Sequence, residues 1–241
     1  MHICPAKKVL MKRLLLLFVL GVLVWSCSEE KKANMTVSGN IKGLKKGKLF
    51  FQQFKDSSLI NLDSIEIKGD GTFSFSHYLE SPEVLYLYLD KEDNNDINDR
   101  IVFFGEPGEI VINTSWKTFD LSPEISGSKS HEKWEEFKEM ISQFNIKELE
   151  LTKKTIDEGV KKDSLAVDSI QQLIRKNIIS RYRYALNFGL TNANSYATPY
   201  IMMTEAAEAN PKYLDSIYNQ LTSEVLESKY GKEFKEFLGK E

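Results

Sequence analysis

The hydrophobic periodicity of the chain changes near Gly127, and this change constrains the fold more than any other feature. Before Gly127 apolar and polar residues alternate, as around Met35 and Val37, which is the period of a half-buried strand. After it, apolar residues recur every three or four positions, the period of an amphipathic helix. We therefore predict an all-β domain over 35–128, followed by an α-helical region over 129–241, in a protein that is α+β overall.

The first of these regions contains seven or eight short segments with strand-like alternation, separated by turn signals. This spacing predicts an antiparallel sandwich or an open barrel. We expect the strand 35–42 to pair with the strand 48–54 as a hairpin. We expect a second hairpin between 62–68 and 72–76, because Gly69–Gly71 offers the positive φ angles of a tight turn.

The run Val84–Leu89 is apolar on both faces, which predicts a central strand. Its two tyrosines, Tyr86 and Tyr88, could stack against a ligand. Rings that fill a core are the commoner use of such residues, and we favour that interpretation.

An acidic loop, Asp90–Arg100, follows that strand. Its oxygen-bearing side chains make it a weak calcium candidate, but it lacks the glycine and the closing glutamate of an EF-hand. A solvated loop is the favoured interpretation. The candidate calcium ligands are Asp93, Asn95, Asp96 and Asp99.

The apolar periodicity and the capping residues of the helical region predict four helices. Ser130 is expected to cap the first, Asp163 or Ser164 the second and Thr198 the third, and Asn210-Pro211 separates the third from the fourth. The first two helices carry apolar stripes, which predict an antiparallel helical pair. These stripes are Trp134, Phe137, Ile141 and Phe144 in the first and Ile170, Leu173, Ile174, Ile178, Tyr182 and Ala185 in the second.

The N-terminal segment has the composition of an export signal. Lys12 and Arg13 precede an uncharged apolar run over 14–24. This run of about eleven residues is shorter than the roughly 20 that a membrane-spanning helix needs. A cleaved signal peptide over 1–26 is therefore expected.

The end of this signal, Val24-Trp25-Ser26-Cys27, resembles the lipobox of a bacterial lipoprotein. The resemblance implies cleavage between Ser26 and Cys27 and attachment of a lipid, palmitate included, to Cys27. Residues 27–34 would then form a polar tether to the membrane.

Ser28-Glu29-Glu30 is similar to the acidic signal that sends lipoproteins of one Gram-negative phylum to the outer face of the outer membrane. The resemblance implies an outer-membrane lipoprotein, exported through the inner membrane and held at the surface or at the periplasmic face. The protein would bind to its partner, the membrane, through the lipid anchor.

The sequence has only two cysteines, Cys4 and Cys27. A lipidated Cys27 would leave the mature chain without a thiol for redox chemistry or a disulfide. An ordinary hydrophobic core must then stabilise the exported protein, which 41% apolar and 11% aromatic residues can supply. Loss of four basic residues with the signal makes the mature chain more acidic than the full chain, whose net charge is -3, and this argues against nucleic acid as a partner.

Several short stretches of the strand-rich region carry a family resemblance. They are Leu62-Asp63-Ser64, Gly71-Thr72-Phe73-Ser74-Phe75, Ser81-Pro82, Phe103-Phe104-Gly105-Glu106-Pro107-Gly108-Glu109-Ile110 and Ile125-Ser126-Gly127-Ser128. Together they resemble an uncharacterised domain of unknown function. That domain lies at the N-terminus of exported lipoproteins that mostly continue into a thioredoxin-like domain of the AhpC/TSA or TlpA type. The resemblance covers about 35–130.

The stretch 192–230 also resembles the helical linker that precedes the thioredoxin-like domain in those relatives, and the sequence ends where that domain would begin. The relatives use a Cys-x-x-Cys pair for thiol-disulfide exchange. No cysteine follows Cys27, so we do not expect this activity here.

No hydrolase, metalloprotease, phosphate-loop or dinucleotide motif is present. His77 and His131 lie on different predicted elements and are interpreted as surface or capping residues. Glu135-Glu136 is interpreted as part of a solvated helix face. No catalytic residue, cofactor or firm metal site is predicted.

A tripeptide of the form Asp-Ser-Ile occurs three times and resembles the O-glycosylation acceptor of exported proteins in the same phylum. Its serines are Ser64, Ser169 and Ser216. Chance and helix capping are the alternative explanation.

The favoured functional hypothesis is a lipid-anchored, non-catalytic binding or accessory module of the cell envelope, with a protein or a glycan as partner. One alternative is an envelope hydrolase whose carboxylates converge only in the fold. Another is a helper that acts in trans beside a thioredoxin-like oxidoreductase.

Overall fold

The computed structural model describes residues 32–55, 57–91 and 99–240. The predicted signal and the lipidation residues Ser26 and Cys27 lie outside the described residues. The calcium candidates Asp93, Asn95 and Asp96 lie outside them as well. From Ala33 onward the chain forms one compact unit.

Eight strands of the described chain form two four-stranded sheets, which confirms the predicted β-rich first region. The order is β4-β1-β7-β8 in the first sheet and β3-β2-β5-β6 in the second. One neighbouring pair, β1 with β7, is parallel, and the others are antiparallel. The strands are β1 (Met35–Lys42), β2 (Lys46–Lys55), β3 (Ser58–Lys68), β4 (Thr72–His77), β5 (Glu83–Asp90), β6 (Asp99–Gly105), β7 (Gly108–Ser115) and β8 (Glu124–Ser126).

The inward faces of the two sheets share one core, because alternate residues of each strand point to the same side. Fully buried members come from both sheets, such as Val37 and Ile110 from the first and Phe51, Leu87 and Phe103 from the second. The arrangement confirms the sandwich prediction and the position of Val84–Leu89 in the central strand β5.

Both predicted hairpins are wrong. β1 and β2 lie in different sheets, as do β3 and β4. The connections 43–45 and 69–71 carry the chain from one sheet to the other and lie side by side. The Gly69 N–H donates to the Lys45 carbonyl at 3.1 Å, and the Ile41 N–H donates to the Gly71 carbonyl at 2.9 Å. Hydrophobic alternation shows which face of a strand is buried, but strands that face each other across a core alternate in the same way as strands that pair.

The C-terminal region is helical, as predicted. Its helices are α1 (Lys129–Thr155), α2 (Glu158–Lys161), α3 (Ser164–Thr191), α4 (Ala197–Glu205), α5 (Pro211–Tyr218), α6 (Ser223–Leu226) and α7 (Lys229–Phe237). The predicted fourth helix is divided into α5, α6 and α7. None of the described helices combines the length and the apolar content that a bilayer span requires.

Helices α1 and α3 form the predicted antiparallel pair. Phe137 packs on Phe188 with ring centroids 5.1 Å apart, and the Asn177 side chain donates to the Phe144 carbonyl at 2.9 Å. From the first contact to the second, the residue number rises from 137 to 144 along α1 and falls from 188 to 177 along α3. The two helices therefore run antiparallel.

The helices pack on the outer face of the second sheet. Val84 of β5 and Phe104 of β6 are buried in a second core with residues of the helices, such as Phe137, Ile201 and Phe234. β5 and β6 therefore have apolar residues on both faces, whereas β2 and β3 keep large apolar residues exposed near their shared turn. Those residues are Phe54, Leu59 and Ile60.

Two predicted helix caps are wrong. Helix α1 is capped by Ser128, whose hydroxyl accepts from the His131 N–H at 3.0 Å, and not by Ser130. Thr198 lies within α4, where its hydroxyl donates to the Asn192 carbonyl at 2.6 Å. Asp163 caps α3, one of the two residues predicted for that place.

Candidate ligand-binding cleft beside strand β6

A cleft of about 470 Å³ lies between β6, the segment 120–125 and the first turns of α1. Small-molecule sites commonly have about 300 to 1,000 Å³, so the cleft is large enough for a ligand the size of a sugar or a short peptide end. Three separate parts of the chain contribute its polar side chains. These are Arg100, Asp120, Ser122, His131, Glu135 and Lys138.

His131 forms one wall of the cleft. Its side chain is buried, and its Nδ1 accepts a hydrogen bond of 3.3 Å from the backbone N–H of Phe104. The proton of the neutral ring is therefore on Nε2, which lies 3.4 Å from a carboxylate oxygen of Glu135. Burial lowers the pKa of His131 to about 4, and the nearby Glu135 carboxylate opposes this effect only in part. The interpretation of His131 as a surface or capping residue is wrong.

The turn before α1 fixes the position of His131. Gly127 has a φ of 93°, and a Cβ at this residue would lie 2.0 Å from the Glu109 carbonyl oxygen. Only glycine combines this backbone conformation with so close an approach to β7. The Ser126-Gly127-Ser128 turn therefore sets the direction in which α1 leaves the first sheet.

Glu106, in the turn between β6 and β7, holds the first turn of α1. Its carboxylate accepts from the Lys129 N–H at 2.6 Å and from the Ser130 hydroxyl at 2.6 Å. A carboxylate at this place also interacts favourably with the positive end of the helix dipole. Ser130 is thus a donor to Glu106, which explains why it does not act as the predicted cap.

Lys138 and Glu135 on α1 form a pair at the rim of the cleft. The Lys138 Nζ lies 2.5 Å from the Glu135 carboxylate and 4.0 Å from the centroid of the Trp134 ring. The side chain of Glu135 is 53% exposed, which agrees with a largely solvated helix face. The two charges largely neutralise each other.

Arg100 on β6 differs from Lys138, the other cation of the cleft, because no carboxylate in the described parts of the chain forms an ion pair with it. Its guanidinium carbon lies 5.3 Å from the centroid of the Tyr88 ring, and Tyr88 in turn stacks on Phe50 at 5.8 Å. The Arg100 Nε is buried and has no hydrogen-bond partner. Phe50, Tyr88 and Arg100 are register neighbours across β2, β5 and β6, which explains why they lie in one row.

The sequence interpretation missed Arg100 because it places this residue at the end of the acidic loop. A usable signal was nevertheless present. Arg100 shares its face of β6 with Val102 and Phe104, so it is a charged residue on a face that is otherwise apolar. The two tyrosines of β5 have different roles. Tyr86 packs against the second core, and the half-buried ring of Tyr88 lies beneath the Arg100 guanidinium.

A second polar cluster lies outside the cleft, where α7 meets β5. Glu83 is 5% exposed, forms an ion pair with Lys229 and accepts from the Gln53 side chain at 2.6 Å. The Tyr230 hydroxyl accepts from the Val84 N–H at 3.0 Å, and burial raises the pKa of Tyr230. Both contacts join α7 to β5, so we interpret the cluster as the structural attachment of α7 to the sheet.

The remaining candidate residues lie apart from the cleft. The serines Ser64 on β3, Ser169 on α3 and Ser216 on α5 are all exposed.

The fourth calcium candidate, Asp99, forms an ion pair with Lys91 at 2.7 Å. Among the described residues, no group of three or more histidine, cysteine, aspartate or glutamate side chains is arranged to hold a metal ion. His77 is half-buried with its ring edge towards Phe51, and burial lowers its pKa.

In a comparison with known families, residues 35–134 match the model of a domain of unknown function, DUF4369. The match agrees with the resemblance to an uncharacterised domain that the turn and strand motifs indicated. It spans both sheets and the start of α1, and so it includes Arg100 and His131. A comparison with curated proteins finds no match.

Proposed function

We propose that this protein is a lipid-anchored binding module of the cell envelope and that the cleft beside β6 is its ligand site. The observation that supports the proposal is a cleft of ligand size that contains Arg100, a guanidinium without an ion-pair partner among the described residues and supported by an aromatic ring. The cleft walls come from the sheet and from α1, and such a junction between rigid elements is a usual place for a binding site. The partner would be a glycan or the exposed end of a protein chain.

The proposed anchor is a lipid on Cys27, with the outer membrane as its location. Asn34 is attached to the folded domain by two hydrogen bonds, so a tether from Cys27 would end there. Its side chain donates to the Leu79 carbonyl at 2.8 Å and accepts from the Leu79 N–H at 2.7 Å. Only seven residue steps separate Cys27 from Asn34. At about 3.5 Å per residue the tether would span at most roughly 25 Å, which keeps the domain close to the membrane surface.

The anchor is tested by feeding cells with labelled palmitate and recovering the wild type and the Cys27→Ala variant. Label on the wild type alone, together with its recovery in outer-membrane vesicles, is the expected result. Label on both proteins, or on neither, would contradict the proposed anchor.

The ligand site is tested by a thermal-shift screen with glycans and peptides. Ser122 is exposed at the rim of the cleft, so Ser122→Trp fills the cleft while it leaves the core intact. Ser180→Trp, on the exposed side of α3, is the matched control. Ligands should raise the Tm of the wild type and of the control but not of Ser122→Trp; equal shifts in all three proteins would contradict the assignment.

A second candidate function is hydrolysis, and one observation favours it: Asp120 and Glu135 line the same cleft. A pair of carboxylates on two sides of a bound sugar is the arrangement that glycosidases use. Chromogenic glycosides would distinguish the two functions. Turnover that is lost in both Asp120→Asn and Glu135→Gln would favour the hydrolase, and binding without turnover favours the binding module.

A third candidate is a helper of a thioredoxin-like oxidoreductase in trans. It rests on the resemblance of 35–130 to the first domain of lipoproteins that continue into a thioredoxin-like domain, and on the absence of a cysteine between Cys27 and Glu241. If it is correct, the purified protein should change the rate at which a thioredoxin-like protein from the same envelope reduces insulin. An unchanged rate, with no complex in size-exclusion chromatography, would contradict this candidate.

A further inference from the structure

We infer that Arg100 anchors the ligand of this cleft and that the ligand presents an oxyanion, either a carboxylate or a phosphate, to its guanidinium. The inference rests on the proposed function, because it concerns the same cleft. It adds the chemical class of the ligand and the residue that recognises it.

The first argument is the state of the guanidinium itself. Its Nε is buried and has no acceptor, and no described carboxylate forms an ion pair with it. A charged donor that is removed from water without a partner is unfavourable, so such groups in folded proteins are normally paired. Arg100 lines the cleft, so a ligand oxyanion could pair with the terminal N–H groups of the guanidinium and compensate its charge, while the buried Nε stays out of reach of the ligand.

The second argument is the support beneath the guanidinium. Tyr88 lies 5.3 Å from the Arg100 Cζ, and Phe50 stacks on the far side of Tyr88 at 5.8 Å. A guanidinium held against a ring keeps a defined plane, and its N–H groups lie in that plane. The planar fork is the geometry that binds a carboxylate or a phosphate with two parallel hydrogen bonds.

The third argument comes from the other charged groups around the cleft. Lys138 is bonded to Glu135 at 2.5 Å and is already neutralised, and His131 is buried and neutral. Of the cationic side chains that line the cleft, Arg100 is therefore the one without an ion-pair partner among the described residues. Asp120 also lines the cleft, so a ligand with one negative charge should be favoured over a more highly charged one.

The test uses isothermal titration of the full-length lipidated protein in detergent with three probes: D-glucuronate, inorganic phosphate and the neutral sugar D-glucose. Glucuronate or phosphate should bind, and glucose should bind at least tenfold more weakly. Comparison of the two anions shows whether a carboxylate or a phosphate is the preferred group. Arg100→Gln should weaken the binding of the preferred anion about tenfold or more. Arg100→Lys, which keeps the charge but loses the planar fork, should give an intermediate loss.

Arg181→Gln is the matched control. The guanidinium of Arg181 also lies over a tyrosine ring, that of Tyr182 at 5.7 Å, but its Nη1 already donates to Asn145 at 3.3 Å and it does not line the cleft. This variant should bind the anions as the wild type does. If Arg100→Gln lowers the fraction of folded protein, the comparison of Arg100→Lys with the wild type decides the question.

Three results would overturn the inference: wild-type protein that binds neither anion, anion binding that Arg100→Gln leaves unchanged, or equal affinity for glucose and glucuronate. If a neutral ligand binds and Ser122→Trp blocks it, the proposed function stands while the oxyanion assignment fails. If no ligand of the thermal-shift screen is blocked by Ser122→Trp, both fail.

Discussion

The backbone N–H of Phe104 donates a hydrogen bond of 3.3 Å to Nδ1 of His131, and this bond joins the edge strand β6 to helix α1. β6 is the last strand of its sheet, so the N–H of Phe104 has no further strand to bond. The imidazole of His131 accepts the hydrogen bond that a neighbouring strand would otherwise accept. The same side chain also lines the cleft. Protonation of Nδ1 would remove the acceptor, and so the bond exists only in the neutral form of His131.

This arrangement predicts that the protein loses stability as the pH falls from about 6.5 to about 4. Burial lowers the pKa of His131 from 6.5 to about 4 in the folded state. In that interval the unfolded chain binds a proton at this residue and the folded protein does not, so acid favours unfolding. The difference corresponds to about 3 kcal/mol between the two ends of the interval. Urea unfolding at a series of pH values measures it.

His131→Asn separates this effect from the titration of the carboxylates. The Asn side-chain oxygen can occupy the position of Nδ1 and accept from Phe104, but it does not titrate. The free energy of unfolding of His131→Asn should therefore fall less between pH 6.5 and pH 4 than that of the wild type, by about 3 kcal/mol. Parallel pH profiles of the two proteins would show that His131 is not buried in its neutral form.

The buried pair Glu83–Lys229 predicts an asymmetric response to mutation. Lys229→Met leaves a carboxylate that is 5% exposed without its cation, whereas the side chain of Lys229 is 32% exposed. We expect Lys229→Met to lower the free energy of unfolding by about 2 to 3 kcal/mol, less than for a fully buried pair. The double variant Glu83→Gln/Lys229→Met should recover part of this loss.

The exposed pair Lys68–Glu66 is the control for that experiment. Its atoms lie 2.6 Å apart, but both side chains are mostly in water. Lys68→Met should leave the free energy of unfolding almost unchanged, because water screens an exposed ion pair. Equal losses in Lys68→Met and Lys229→Met would contradict the structural role of the buried pair.

Gly127→Ala should destabilise the protein far more than Gly69→Ala. Both glycines have positive φ, 93° and 125°, so both substitutions strain the backbone by about 1 to 2 kcal/mol. Only at Gly127 would the new Cβ lie 2.0 Å from a backbone oxygen; at Gly69 no atom lies within 4 Å. We expect at least about 2 kcal/mol of additional loss for Gly127→Ala in urea unfolding. Similar losses in the free energy of unfolding for both variants would contradict this prediction, because β7 would then shift away from the new Cβ at little cost.

Glu106→Ala should detach the first turn of α1 from the β6–β7 turn. The variant loses acceptors for the Lys129 N–H and the Ser130 hydroxyl, and we expect a loss of about 1 to 2 kcal/mol. Hydrogen exchange at Lys129 and Ser130 should become faster, while exchange in α7 stays as in the wild type. Unchanged exchange at the start of α1 would contradict the role of Glu106.

The existence and the approximate ends of the strands and of the long helices could be predicted from periodicity and turn residues. The partners of the strands could not. Ile41 and Leu49 both point inward, and this is equally true of a hairpin and of two strands that face each other across a core. The positive φ values of Gly69 and Gly71 were predicted correctly, but the connection they form joins two sheets instead of two neighbouring strands.

The candidate site was not predictable from spacing along the chain. Arg100, Asp120 and His131 come from a strand, an irregular segment and a helix, and only the fold brings them to one cleft. His131 is a polar residue at the start of a helix, a place that is usually solvated, and its burial depends on the unpaired edge of β6. The acceptor for Ser130 is Glu106, 24 residues away, which explains why the local capping pattern pointed to the wrong residue.

The most direct measurement is the nitrogen-15 NMR signal of the Arg100 Nε–H group during titration with D-glucuronate and with inorganic phosphate. The signal is assigned by its loss in Arg100→Gln, and Arg181 serves as the internal reference. The assignment of Arg100 as the anchor of an oxyanion ligand predicts that the Arg100 signal moves and saturates with the preferred anion while the Arg181 signal stays in place. A ligand that binds without moving the Arg100 signal, or that moves both signals alike, would contradict it.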